Sequence, residues 1–139
     1  MSAFIYFHCF TEDQAHGVHN LGSDQIAVAF TNAANPPSQA NDAVLADVVQ
    51  ISYTNLSDRN VVTLSSGQVG GNYTLELEDK VVTSTGGDTG PIRYILVYNA
   101  TKAGNPLIGY YDRGSEITIG SAQTFTVDFS SGTVRFNPA

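Results

Sequence analysis

The chain has no tryptophan, one cysteine, and only six lysines and arginines among 139 residues. A single cysteine, Cys9, leaves no partner for an intrachain disulfide, which excludes a stapled secreted module. The six basic residues are scattered singly against 13 acidic ones, for a formal net charge of −7. No basic patch is there to neutralise phosphates, which argues against nucleic acid as a partner. Charged residues make up 14% of the chain, low beside the roughly 25% of an average globular protein. Large apolar residues remain plentiful, so the low charge does not signal disorder. No stretch approaches the ~20 consecutive apolar residues of a membrane helix, so no membrane association is expected. The opening MSAFIYFHCF lacks a basic n-region and a small-residue cleavage site, so folding in a reducing cytoplasm is expected.

What the chain does have is alternation. Pro91–Phe129 holds four apolar runs separated by Asn, Gly, Pro and Asp. In Ile92–Asn99 both faces of the pleat are apolar, the pattern of a central strand covered on both sides. Asn105-Pro106 opens Leu107–Tyr111, because proline fixes its own φ and pushes the residue before it towards extended geometry. Asp112-Arg113-Gly114 reads as a turn, Glu116–Ile119 as a short strand and Gly120–Gln123 as another turn. Phe125, Val127 and Phe129 then alternate with Thr124, Thr126 and Asp128, as in a half-buried strand.

Upstream, Ala3–Phe10 reads as a first strand, with Phe4, Tyr6, His8 and Phe10 on one face and Ile5, Phe7 and Cys9 on the other. Thr11–Ser23 is a polar connection, and Gln25–Thr31 a second strand. Asn32–Asp42 (NAANPPSQAND) is a long surface loop in which Pro36-Pro37 forbids regular pairing. Ala43–Val49 suits a short helix capped by Asn41 or Asp42, and Asp47–Tyr53 suits a strand; the reading leans to a helical turn leading into a strand. Val61–Leu64 is a short strand, Ser65–Gly71 a flexible turn, and Asn72–Glu78 a strand with Tyr73, Leu75 and Leu77 inward. Val81–Thr83 begins to return, Ser130-Ser131-Gly132 turns, and Thr133–Phe136 closes the sheet. About ten short strands with at most one short helix predict an all-β, antiparallel sandwich or barrel in one domain, residues 1–139.

Candidate chemistry is sparse, and no catalytic role, cofactor or metal site is assigned. His16 and His19 have a ligand-like spacing, but a zinc site needs four convergent donors, and His8 and Cys9, as strand neighbours, point to opposite faces. Cys9 has no marked base and reads as a small buried hydrophobe. Gly86–Gly90 is glycine-rich but precedes a strand, so it reads as a turn rather than a phosphate loop. Glu76 and Glu78 share a face and read as solvated. Tyr98, Tyr110 and Tyr111 suit a sugar-stacking platform, a core or a partner contact. Asn55, Asn72 and Asn99 each begin a glycosylation sequon, which carries weight only in a secreted chain.

Several of these runs carry a resemblance. His-Asn-Leu-Gly-Ser-Asp (His19–Asp24) is followed by Thr-Asn-Ala-Ala-Asn-Pro (Thr31–Pro36) and Val-Leu-Ala-Asp-Val (Val44–Val48). Then come Gly-Gly-Asp-Thr-Gly-Pro-Ile-Arg-Tyr (Gly86–Tyr94), Leu-Val-Tyr-Asn (Leu96–Asn99) and Pro-Leu-Ile-Gly-Tyr-Tyr-Asp (Pro106–Asp112). Gly-Ser-Glu-Ile-Thr-Ile (Gly114–Ile119) and Thr-Phe-Thr-Val-Asp-Phe (Thr124–Phe129) complete the order. In this pattern the chain resembles the capsid decoration (cement) proteins of tailed bacteriophages. It departs from them after the Ala-Asp pair, where a glycine-rich stretch is replaced by Val-Gln-Ile-Ser-Tyr (Val49–Tyr53).

The resemblance implies a jelly-roll sandwich on the virion exterior, made in the host bacterial cytoplasm. It implies the major capsid protein as a partner and no catalytic residue; self-association as a dimer on the capsid surface would suit the commonest oligomer symmetry. Within it, the candidate contact elements are the N-terminal arm Met1–Tyr6 (Phe4, Tyr6), the Asn32–Asp42 loop (Asn35, Pro36, Pro37) and the tail from Phe136. The alternative is a carbohydrate-binding β-sandwich module of a phage fibre or tail, against which the lack of tryptophan weighs.

Overall fold

A computed structural model describes residues 3–129 and 134–136. The strands are β1 (Ile5–Tyr6), β2 (Ile26–Thr31), β3 (Asn60–Val61), β4 (Thr63–Val69), β5 (Asn72–Leu77), β6 (Lys80–Thr83), β7 (Thr89–Asn99), β8 (Leu107–Ile119), β9 (Thr124–Val127) and β10 (Val134–Phe136). One α-helix, α1 (His8–Ala15), and a 3-10 turn at Leu45–Asp47 accompany them. Every strand pairing is antiparallel. The main sheet runs β1-β8-β7-β2-β3; β10-β5-β4 and β6-β9 form two smaller sheets. The fold is all-β, with its antiparallel sheets in a sandwich-like arrangement.

The main sheet is covered on both faces. On one, Ile26, Val28 and Phe30 of β2, Ile95 and Val97 of β7, and Tyr111 of β8 join Leu75, Val82, Phe125, Val127 and Val134 from the smaller sheets. On the other, Ala27, Ala29, Leu96, Tyr98 and Leu107 pack with Phe7, Leu45 and Val48. Two alanines on β2 leave little side-chain depth there, so the Leu45–Val48 segment packs directly on the sheet. All six residues of β2 are buried as a result, and β7 is the central, doubly covered strand that its sequence predicts.

Four expectations are corrected. The Ala3–Phe10 strand stops at Tyr6, and His8–Ala15 is helical. The reason is tertiary: Phe7 belongs to one core and Phe10 to the other, so the chain must turn over the sheet edge between them. His8 and Cys9 are therefore helix neighbours. The Asp112–Gly114 turn is a kink within β8 rather than a reversal. Asp112 Oδ1 accepts the Gly114 amide at 2.8 Å, Gly114 has φ +87°, and β8 continues to Ile119. Ser65–Gly71 is mostly strand; β4 extends to Val69 and only Gly70-Gly71, both at positive φ, make the turn. The strand expected within Asp47–Tyr53 is absent. The Leu45–Asp47 turn precedes an irregular segment joined to β2 by the Ile51 amide on the Phe30 carbonyl, 3.0 Å.

That segment satisfies the β2 edge with side chains. The Phe30 amide donates to the Tyr53 hydroxyl at 3.0 Å, and Arg59 Nη1 donates to the Val28 carbonyl at 2.7 Å. Arg59 also lies 3.7 Å over the Tyr53 ring, a cation–π contact that holds both groups in place.

Candidate interaction surface

Phe4 and Tyr6 are half-buried and seated on their own sheet. The Phe4 ring lies 5.2 Å from Tyr6 and 5.0 Å from Tyr111, and Tyr6 stacks on Phe10 at 5.9 Å. Gly109 makes this possible: a Cβ there would stand 2.4 Å from the Phe4 ring. The Asn32–Asp42 loop is closed on itself and tied to this arm. The Asn35 amide donates to the Asn32 carbonyl at 3.1 Å, and the Ser38 amide to Asp42 Oδ2 at 2.7 Å. Gln39 makes the join. Its Nε2 donates to the Tyr6 carbonyl at 2.9 Å and its carbonyl accepts the His8 amide at 3.0 Å. Pro36 is exposed, with Asn35 and Pro37 half-buried beside it. Phe4, Tyr6, Asn35, Pro36 and Pro37 thus belong to connected elements.

Phe136 does not join them. It pairs with Tyr73 in β10, in a different sheet; its side chain lies outside the described residues, as do Met1, Ser2, Ser130–Thr133 and Asn137–Ala139.

The chemically suggestive residues do not converge. His16 is exposed, whereas the His19 side chain is fully buried, and no group of three or more His, Cys, Asp or Glu side chains suited to a metal occurs among the described residues. Burial, with Asp13 nearby, pushes the Cys9 thiol up to about 11. Its Sγ lies 3.6 Å from the Ala43 carbonyl oxygen and 3.8 Å from that of Leu107. Tyr111 is buried in one core while Tyr98 and Tyr110 pack at the other, so these three tyrosines form no single platform. Glu76 faces Ser65 on β4, 3.4 Å away, and Glu78 is exposed beyond the end of β5. Among the sequon asparagines, Asn99 is fully buried.

Asn99, the last residue of the Ile92–Asn99 run and the first of a sequon, is a structural hub. Its Nδ2 donates to Asp24 Oδ2 at 2.7 Å and to His19 Nδ1 at 3.0 Å. Its Oδ1 accepts the Thr101 and Lys102 amides at 2.9 and 3.2 Å. An imidazole that accepts at Nδ1 carries its proton on Nε2, which here lies 3.8 Å from Asp13. Burial holds His19 below its ordinary value, against the upward pull of Asp13 and Asp24. Burial pushes the Asp24 carboxyl up, but the Asn20 amide, Asn99 and Lys102 outweigh it and hold that carboxyl low. The neutral histidine and ionised aspartate join the end of β7 to the loop after α1. The nearest signal in the sequence is that both residues fall within His19–Asp24, far from Asn99.

A second surface is the outer edge of β4. Among the described residues, three of the five exposed large hydrophobics, Val62, Leu64 and Val69, fall on or beside it. Comparison of the chain with protein families, curated proteins and solved structures gave no match.

Proposed function

We propose that the chain is a structural virion protein that binds the outer surface of a phage capsid. There it cements neighbouring copies of the major capsid protein and so stabilises the head. The observation that carries this reading is the join at Gln39, which fixes the N-terminal arm and the Asn32–Asp42 loop to one another. Contact elements held in place before binding lose little conformational freedom when they dock. A rigid patch repeated over a symmetric shell multiplies a modest interface through avidity. A DNA-filled head presses outwards, so a protein that bridges capsomers raises the free energy needed to part them. The order of motifs from His19 to Phe129 supports the same reading. The jelly-roll connectivity of that class, a finer arrangement of the antiparallel sandwich, belongs to this proposal.

The test is reconstitution. Purified protein is added to heads lacking it, and co-sedimentation and heat-induced DNA release are followed. The proposal expects saturable binding and a higher release temperature, both lost when Asn35, Pro36 and Pro37 are replaced together by glycine and serine. No co-sedimentation at any ratio would overturn it.

A further inference from the structure

β4 is the outermost strand of its sheet, with β5 on one side only. From Leu64 to Val69 every residue is exposed. The stretch Asn60–Leu75 contains no charged residue and no proline. Natural edges are usually blunted by lysine, proline, a bulge or a covering segment. β4 has only a register shift between Thr63 and Ser65, after which Ser65–Val69 pair regularly with Asn72–Glu76.

The register shows which backbone groups are free. Gly70 and Gly71, at φ +60° and +85°, form a two-residue turn, the kind whose flanking pair exchanges both hydrogen bonds. That pair is Val69–Asn72. Bonding then alternates along an antiparallel ladder. Gly67 and Ser65 turn their amides and carbonyls to β5, while Ser66 and Gln68 turn theirs outwards.

We propose that a second copy of this chain pairs antiparallel on β4 about a two-fold axis at Gly67, extending β10-β5-β4 across both copies. In that register Ser66 exchanges its main-chain hydrogen bonds with Gln68 of the second copy, and the reverse. Gly67 faces its twin in the close, non-bonded pairing where side chains crowd most, and it has none. Val69, 84% exposed, falls opposite Ser65 of the second copy. Charge restricts where two copies can meet. Two chains at −7 repel one another, but this edge brings no charged side chains face to face. The row through Glu76 continues through Ser65 to Val69 and Asn72 of the second copy. The inference goes beyond the proposed capsid binding and gives a surface to the dimer that oligomer symmetry favours.

The test needs no capsid, so its outcome is separate from that of head binding. Sedimentation equilibrium up to millimolar concentration should show the mass rising from 14.8 kDa towards twice that value. Gly67→Lys adds a side chain where the folded chain has nothing within 4 Å, and should hold the protein monomeric by facing lysine with lysine. Ser66→Pro, which removes an outward donor, should do the same, with circular dichroism confirming that each variant is folded. Mixing Gly67→Lys with Gly67→Glu should restore a dimer that neither forms alone. A wild type that stays monomeric overturns the proposal, as does a dimer that survives both single variants. If the monomeric wild type bound heads and Ser66→Pro abolished that binding, the occupant would be an extended capsid segment, and the proposal would equally be wrong.

Discussion

The Tyr53 hydroxyl stands where a neighbouring strand would: it accepts the Phe30 amide at 3.0 Å and donates to Gln50 Oε1 at 2.7 Å. A β-strand edge left with a buried, unpaired amide would be strongly disfavoured. With the Arg59 guanidinium on the Val28 carbonyl and the Ile51 amide on the Phe30 carbonyl, this hydroxyl satisfies the edge of a fully buried strand.

Tyr53→Phe keeps the ring under Arg59 but orphans the Phe30 amide. Leaving a buried donor unpaired is expected to lower stability by about 1–3 kcal/mol. Urea unfolding checks this; an unchanged midpoint would mean that solvent reaches the β2 edge.

The hub at Asn99 predicts acid sensitivity. The unfolded chain takes up a proton on His19 near 6.5, whereas the folded chain resists to lower pH. Stability from this site is thus fully present above about 6.5 and is lost as pH falls below it towards the folded value. Asp24, also held low, adds a further loss below its ordinary 3.8. Urea midpoints measured from pH 8 to 5 should fall, and fall less in His19→Gln. Equal slopes in both proteins would remove His19 from the account.

Asn99→Ala strips all four hydrogen bonds from the hub and leaves Asp24 short of a donor. A loss of roughly 3 kcal/mol is expected, at the severe end for a single substitution. Thermal unfolding at neutral pH measures it. A change well below 1 kcal/mol would show the network to be dispensable.

Gly109→Ala tests the seating of the N-terminal arm. The new Cβ would meet the Phe4 ring at 2.4 Å and the Ile5 carbonyl oxygen at 2.7 Å, so β1 must shift or leave. Overpacking of this kind destabilises by about 1–3 kcal/mol. Hydrogen exchange should show faster loss of protection at Ile5 and Tyr6. Unchanged exchange would mean that Phe4 swings aside freely.

Cys9 should be slow to alkylate. A thiol titrating at about 11 rather than 9.0 holds about a hundredfold less thiolate at neutral pH, and the thiolate is the nucleophile. Iodoacetamide labelling at the rate of a free thiol would contradict that environment.

Strand alternation made much of this fold legible. β2, β5, β7 and β9 lie where apolar periodicity puts them, because each buries at least one face on a core. The failures share a cause. In Ala3–Phe10 the alternating aromatics mimic a strand, but Phe7 and Phe10 serve different cores, and only tertiary packing separates them. Asp112-Arg113-Gly114 has turn chemistry and does use it, as a kink that leaves the strand intact. Ser65–Gly71 looks like loop because β4 buries almost nothing and so carries no apolar period. Of the candidate site, the arm and the Asn32–Asp42 loop were visible in sequence. Their connection through Gln39 was not, since one amide bonding to a distant backbone leaves no local pattern.

The most direct test of the capsid role is to count the protein on purified heads. Quantitative gel analysis before and after mild denaturant should show a band near 14.8 kDa at hundreds of copies per head, lost in step with the heads becoming fragile. A handful of copies, or none, would contradict the account and place the protein elsewhere in the virion or outside it.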